Sequence, residues 1–595
     1  MRPQHFVAAS LLSIGTYASP LSQVKSKLVV KRQGPGSYYA ITGPTGGVQP
    51  RLEIRDLEKT GNMWNLYLLA MTEFQAMDQS LIDSWYQIAG IHGMPWIEWD
   101  GVSGSTEDRD VGQMGYCPHN MLLFGTWHRP YLTLFEQKLQ QIAISIAGRF
   151  PTSTRLAYQT AASQLRIPFW DWAKALPTSQ PVVPTALSVE KVDVTFPNGT
   201  AASIDNPLYD YNFHPLDNSQ INGTGCPPNS GTGGLPVVCD TKTSTIRASQ
   251  DFNDNATLDS RLRAILTSQR STLYKILSQW QNFDQFSNNG NCGGTQGRIG
   301  SLEGLHGPIH TRNFPGHMSP TAVTAFDPMF WFHHANVDRQ LALYQAVFPE
   351  TYMGTCAADT PTFTIDRGES LDASSGLTPF HKNAAGDFWS STDARSIQNM
   401  GYTYPELVRN PPNATLVASI KAQYSGPADV PVTAPKSAKR DDKNATTTEL
   451  YLAQVNLPLY GLDNGVGGAS AYDVLVFVGD VSGSPKNWTH SDNFYGIAST
   501  IGGGIQSDQI AITTVDLSEA LQKGIDSGAT TKGEAVDYLK KNLRYRLQIG
   551  NVKIPREKVK DLKVSLISTK VEVAQSDDVF DRWVGGFKEH GEVDG

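Results

Sequence analysis

Thirteen histidines occur in 595 residues, and six of them fall into two trios. The first trio is His92, His119 and His128. The second is His306, His310 and His334. Imidazole nitrogen suits copper, zinc, iron and nickel. Two all-histidine trios without ligating carboxylates argue against a di-iron centre, which is usually built from Glu and Glu-x-x-His. They argue equally against a zinc hydrolase, since no His-Glu-x-x-His occurs. His-x-His and His-Cys-His are also absent, which argues against a blue-copper oxidase. Two all-histidine trios suit a pair of copper ions with dioxygen between them.

The elements follow from the spacing. His306 and His310 are four apart, so a helix sets both rings on one face, one turn apart. His334 must come from a second helix, starting at Asp327-Pro328 with Asp as N-cap and Pro in the first turn. Asp338 lies four residues beyond His334. Its carboxylate is placed to orient that ring or a neighbouring polar group. His333 points about 100° away from His334 on such a helix, so it is not expected to share the metal. His92 closes a helix over Trp85 to Gly93. His119 sits in the loop Gly115-Tyr116-Cys117-Pro118-His119-Asn120, and His128 opens the next helix. Cys117, two before His119, reads as half of a disulfide, as a buried thiol, or as a thioether partner of the His119 ring.

Helical periodicity runs through 56–92 (Trp64, Leu68, Met71, Phe74), 120–148, 258–281 and 327–348. Four helices turning six histidines inward make a four-helix bundle with a metal site in its core. Residues 180–240 read as a long surface insertion. Residues 427–448 form a polar linker, with Lys439-Arg440 as an exposed dibasic cut site after Arg440. Strands are expected at Glu449 to Pro458, Tyr472 to Gly479, Ile510 to Val515, Leu543 to Ile549 and Val564 to Ala574. The fold class is therefore a mainly α domain around a dimetal centre (33–426), then an all-β, sandwich-like domain (449–595).

The formal net charge of −8 and the lack of a basic patch give no reason to expect nucleic acid. No apolar run is long enough to span a bilayer. Residues 1–18 read as a secretory signal peptide. Residues 19–32 read as a short propeptide, cut after Lys31-Arg32. Secretion suits the six sequons at Asn198, Asn222, Asn255, Asn413, Asn444 and Asn487. Five cysteines is an odd count. A thioether would consume Cys117 and leave Cys226 with Cys239, which bracket a Pro/Gly-rich loop, and Cys292 with Cys356.

The chain resembles the tyrosinase, catechol oxidase and polyphenol oxidase family, especially its long fungal members. The matching stretches are Cys117-Pro118-His119, Gly125 to Tyr131, Ile167-Pro168-Phe169-Trp170-Asp171-Trp172, Ser301 to His310, Phe326 to Arg339, and Tyr402-Thr403-Tyr404-Pro405-Glu406-Leu407. The resemblance implies a type-3 dicopper site, with the first trio on copper A and the second on copper B. It implies the Cys117–His119 thioether, a water oriented by Glu303, and a gatekeeping residue at Thr321 in Ser319 to Val323. Strong monophenol hydroxylases of the family carry Asn or Asp directly after the first copper B histidine. Here that residue is Gly307. The implied activity is therefore oxidation of o-diphenols to o-quinones by O2, with o-hydroxylation of monophenols secondary. A full tyrosinase is the alternative, and a dioxygen carrier like haemocyanin is the alternative of another class. The partners implied are O2 and small phenols. The C-terminal domain is expected to shield the site, with Phe494 or Tyr495 as the aromatic plug.

Overall fold

A computed structural model describes residues 37–104, 115–221, 242–426, 447–459, 462, 471–501 and 508–593. The proposed leader, propeptide and Arg32 lie outside these residues. So do Asn222, Cys226, Cys239, Arg440 and Asn444.

Six helices position the site: α1 Asn62–Gln75, α2 Trp85–Gly90, α3 Phe124–Arg149, α4 Asn255–Ser278, α5 Leu302–Thr311 and α6 Met329–Val347. Short polar side chains start several of them. Ser84 caps α2 through Gln87 N, Asp254 caps α4 through Thr257 N, and Ser301 caps α5 through Gly304 N. Asp327 starts α6 by accepting from Met329 N at 2.9 Å while paired to the buried Arg247. Helix α6 is buried along nearly its whole length, so it lies at the centre and its polar residues must find partners within the protein. Helices α3, α4, α5 and α6 pack together as the bundle. Helix α4 carries none of the six histidines, however, and His92 and His119 come from loops. Three helices and two loops build the site, rather than four helices.

The two ends of this half meet. Gln49–Pro50 pairs in parallel with Tyr402–Thr403. The Cys292–Cys356 disulfide is formed, with Cα atoms 5.8 Å apart. Within 180–240, a hairpin of Lys191–Thr195 with Ala201–Asp205 gives the insertion some order.

The C-terminal half contains β1 Thr447–Pro458, β2 Asp473–Val478, β3 Phe494–Ser499, β4 Ile510–Asp516, β5 Leu543–Ile549, β6 Val552–Ile554, β7 Lys563–Glu572 and β8 Arg582–Glu592. Two antiparallel four-stranded sheets result, ordered β3-β2-β5-β6 and β4-β1-β7-β8. Val455, Val474, Val476, Leu547, Val564 and Leu566 fill the space between them. Alternation along β2 turns Leu475 and Phe477 the other way, onto the core of the helical half. That is why β2 reads as a continuous apolar run. Two amphipathic helices, α7 Ser518–Asp526 and α8 Ala535–Asn542, correct the all-β expectation.

Candidate metal centre

Four of the six rings are fixed through one nitrogen each. His92 Nδ1 lies 2.9 Å from Thr321 O, His128 Nδ1 2.8 Å from Phe124 O, His306 Nδ1 3.1 Å from Glu303 O, and His310 Nδ1 2.7 Å from Met318 O. A carbonyl only accepts, so each Nδ1 carries the proton and leaves Nε2 with a free lone pair. His92 Nε2 and His306 Nε2 are buried with no hydrogen-bond partner, as are both ring nitrogens of His334. Burial also pushes every one of these imidazoles down: His119 to about 3, His128 and His310 to about 4. Burial and neighbouring histidines hold His92, His306 and His334 well below the usual range. Neutral imidazoles with unpartnered lone pairs are what a metal requires.

His306, His310, His333 and His334 bring ligand atoms within 4.8 Å of one another, and so do His92, Cys117 and His128. His119 stands just outside the second set, its ring 5.1 Å from that of His92. The two groups adjoin, for the His128 and His334 rings stack at 4.2 Å. His333 is distinguished by chemistry. Trp172 Nε1 donates to its Nδ1 at 3.1 Å, which places the ring proton on Nε2 and removes that lone pair from the centre. Cys117 Sγ lies 3.5 Å from both His119 Nε2 and His128 Nε2, and the cysteine carries no disulfide.

Other expected residues take different positions from those anticipated. Asp338 does not reach His334. It accepts from Arg129 Nε at 2.7 Å, Arg51 Nη1 at 3.2 Å, Tyr402 OH at 2.6 Å and Tyr404 OH at 2.7 Å. Burial pushes its carboxyl up, but these partners outweigh burial and hold it below the ordinary range. Glu303 is fully buried and clamps backbone: Oε1 accepts from Asn120 N at 2.7 Å and Oε2 from Asn289 N at 2.9 Å. Burial pushes it up to about 8 against those bonds. Thr321 acts through its carbonyl on His92. Arg51, Arg129, Phe124 O and Met318 O were not anticipated. The carbonyls in particular leave no mark in residue type.

The C-terminal half covers α5. A Cβ at Gly307 would lie 3.4 Å from Ser499 O and 3.9 Å from Ile501 Cγ2. Phe494 and Tyr495 lie elsewhere, in a cleft of about 240 Å³ that includes Ala264, Ser268 and Lys275 of α4. Their side chains alternate along β3, Phe494 against Phe477 and Tyr495 near Lys523. Among the described residues, those of the C-terminal half beside Gly307 are Ser499 and Ile501 rather than Phe494 or Tyr495.

A helical bundle holding two adjoining groups of neutral imidazoles is the framework of a dinuclear metal protein. The chain matches the common central domain of tyrosinase over residues 82–347 and the tyrosinase C-terminal domain over 463–566. It is 38% identical to a tyrosinase of Neurospora crassa over 62% of this chain and 54% of that protein. It is 33% identical to polyphenol oxidase 2 of Agaricus bisporus over 62% of this chain and 64% of that one. The chain thus matches less than two thirds of either relative's length. Among solved structures it resembles mushroom tyrosinase in its latent and active forms, with 26% identity, a TM-score of 0.76, and coverage of 93% of this chain and 98% of that one. The chain belongs to the tyrosinase family, a family of dicopper oxidoreductases, and its two histidine groups fit a copper ion each.

Proposed function

We propose that the chain is a latent copper phenol oxidase that oxidises o-diphenols to o-quinones with O2 once its C-terminal domain is displaced. The observation that carries this reading is the donor set: two adjoining groups of buried, neutral imidazoles, one of them with the Cys117 thiol, and no carboxylate in either. A copper pair held there would bind O2 and take two electrons from a catechol.

In this reading His92, His119 and His128 hold one ion, and His306, His310 and His334 the other. The carbonyls of Thr321, Phe124, Glu303 and Met318 aim four of the rings. A Cys117–His119 thioether would fix the His119 ring on its loop, and Sγ lies within 3.5 Å of that ring as of the His128 ring. Phe330 packs against both His92 and His334 and keeps water out. Glu303 holds the Asn120 and Asn289 backbone, and so the His119 loop, against α5. With a bound water it is the candidate base for a phenolic proton. Gly307 offers no side chain to position water beside His306, which favours catechols over monophenols.

A secretory route is part of the proposal. Asn198, Asn413 and Asn487 are exposed and Asn255 is half-buried, as glycosylation sites must be accessible. Among the described residues no helix is long and apolar enough to cross a membrane.

The test is oxygen uptake by the copper-loaded chain before and after limited proteolysis of the 427–446 linker. Fast uptake on catechol and little on the matching monophenol, both greatly increased by proteolysis, is the expected result. Equal rates on both substrates would make the protein a full tyrosinase and refute the reading of Gly307. No uptake on either would refute the oxidase reading.

A further inference from the structure

We propose that Thr311 and Arg312 form a carboxylate-binding site beside the metal centre. In the full chain Asp473 of the C-terminal half fills it, and a phenol bearing a carboxylate takes its place when that half withdraws. This deepens the oxidase reading and rests on it for the identity of the ligand.

Thr311 directly follows His310, and Arg312 closes α5. Both are buried, at 5% and 3% exposure, and so is Asp473 at 1%. Asp473 Oδ1 accepts from Thr311 Oγ1 at 2.9 Å and from Ser499 Oγ at 2.5 Å. Its Oδ2 pairs with Arg312 Nη2. Among the described residues this is the ion pair that Arg312 makes, and Arg312 Nε, Arg312 Nη2 and Asp473 Oδ2 are all buried without a hydrogen bond. The other charged group acting on it is Arg261, which repels it and donates to its carbonyl at 3.1 Å. The helical half therefore supplies the Arg312 guanidinium and the Thr311 hydroxyl here, while the carboxylate comes from the other half.

A buried guanidinium without a partner is strongly unfavourable, and its planar fork matches a carboxylate. The location adds the functional argument. Ser499, which shares Asp473 Oδ1, is also the residue against Gly307. Asp473 and its neighbour Ser499 fill the carboxylate site, and the backbone of Ser499 lies against Gly307. Withdrawal of the C-terminal half opens both together, so a substrate arriving at the histidines meets an Arg-Thr cradle one residue from His310.

Two measurements test this. The first uses the full chain with Asp473→Ala and needs no catalysis. Acetate, but not chloride at equal ionic strength, is expected to raise its Tm while leaving the parent unchanged; an identical response of both proteins overturns the site. The second uses the copper-loaded chain after limited proteolysis, with 3,4-dihydroxyphenylpropionate and its primary amide. KM for the acid is expected to be about fivefold lower than for the amide, the scale of a partly exposed ion pair. Arg312→Gln should bring that ratio to about one, and Arg312→Lys should keep part of it. Equal KM values in the parent, or a ratio unmoved by Arg312→Gln, overturn the substrate assignment. Because the melting measurement needs no turnover, failure of the oxidase reading is distinguishable from failure of the carboxylate site.

Discussion

Trp172 donates its indole proton to Nδ1 of His333, whereas His334 keeps both ring nitrogens buried without a partner. Two adjacent histidines are thereby given opposite duties. His334→Gln is expected to lower bound copper from two ions to one, and His333→Gln to leave it at two; metal analysis of the purified variants decides. The residue scale was legible in sequence for the pairing of His306 with His310, because four-residue spacing sets both rings on one helix face. It was illegible for what holds them. Asp338 serves Arg51, Arg129, Tyr402 and Tyr404, partners up to 287 residues away, and no local pattern announces such a contact. Asp338→Asn would leave two buried guanidiniums without their shared carboxylate and should cost about 3–5 kcal/mol, read by urea unfolding at pH 7. The folded carboxyl titrates below its unfolded value of about 3.9. Its contribution is therefore present above that pH and lost as pH falls through the folded pKa. Parent and variant should begin to converge only below about pH 4 and should meet once pH has fallen through the folded pKa.

Helix α5 shows how an element serves two halves of the molecule. Its His306 and His310 face the bundle, while Gly307 and Thr311, one position further round, face Ser499 and Asp473. Gly307→Asn would push into Ser499 and Ile501. We expect it to speed release of the C-terminal half by protease and, in the opened enzyme, to raise the ratio of monophenol to catechol turnover. Gel analysis and oxygen uptake read the two effects separately. The long bundle helices were readable from periodicity, to within a few residues at each end. Strand β3 was missed because Ser491-Asp492-Asn493 signals a turn directly before it. Strand β8 was missed because Gly585 and Gly586 take positive φ and the pairing with β7 shifts register there, which breaks the alternation that a strand reading needs.

At the scale of the whole molecule, the two halves are joined by buried polar contacts as well as by apolar packing. Thr514 Oγ1 donates to Ile299 O at 2.7 Å, and Lys275 lies 3.8 Å from Asp516. None of these pairings was visible in sequence, since each joins distant segments. The Cys292–Cys356 bridge was legible from cysteine arithmetic. It closes a loop of 64 residues that contains α5 and α6. Replacing both cysteines by serine should lower unfolding free energy by about 4 kcal/mol on loop-entropy grounds, measured by guanidinium titration.

The parallel pairing of Gln49–Pro50 with Tyr402–Thr403 has a topological consequence. The helical half is a chain whose two ends are hydrogen-bonded to each other, directly above the Arg51–Asp338–Tyr404 contacts. In effect it is a ring with one opening. Both Lys-Arg sequences lie outside that ring, at Lys31-Arg32 and Lys439-Arg440. Cuts there would trim tails and leave the loop closed. A circular permutant that joins residue 45 to residue 410 and opens the chain at the exposed Asn198–Gly199 turn should still bind two copper ions. One opened between Gln49 and Arg51 should not.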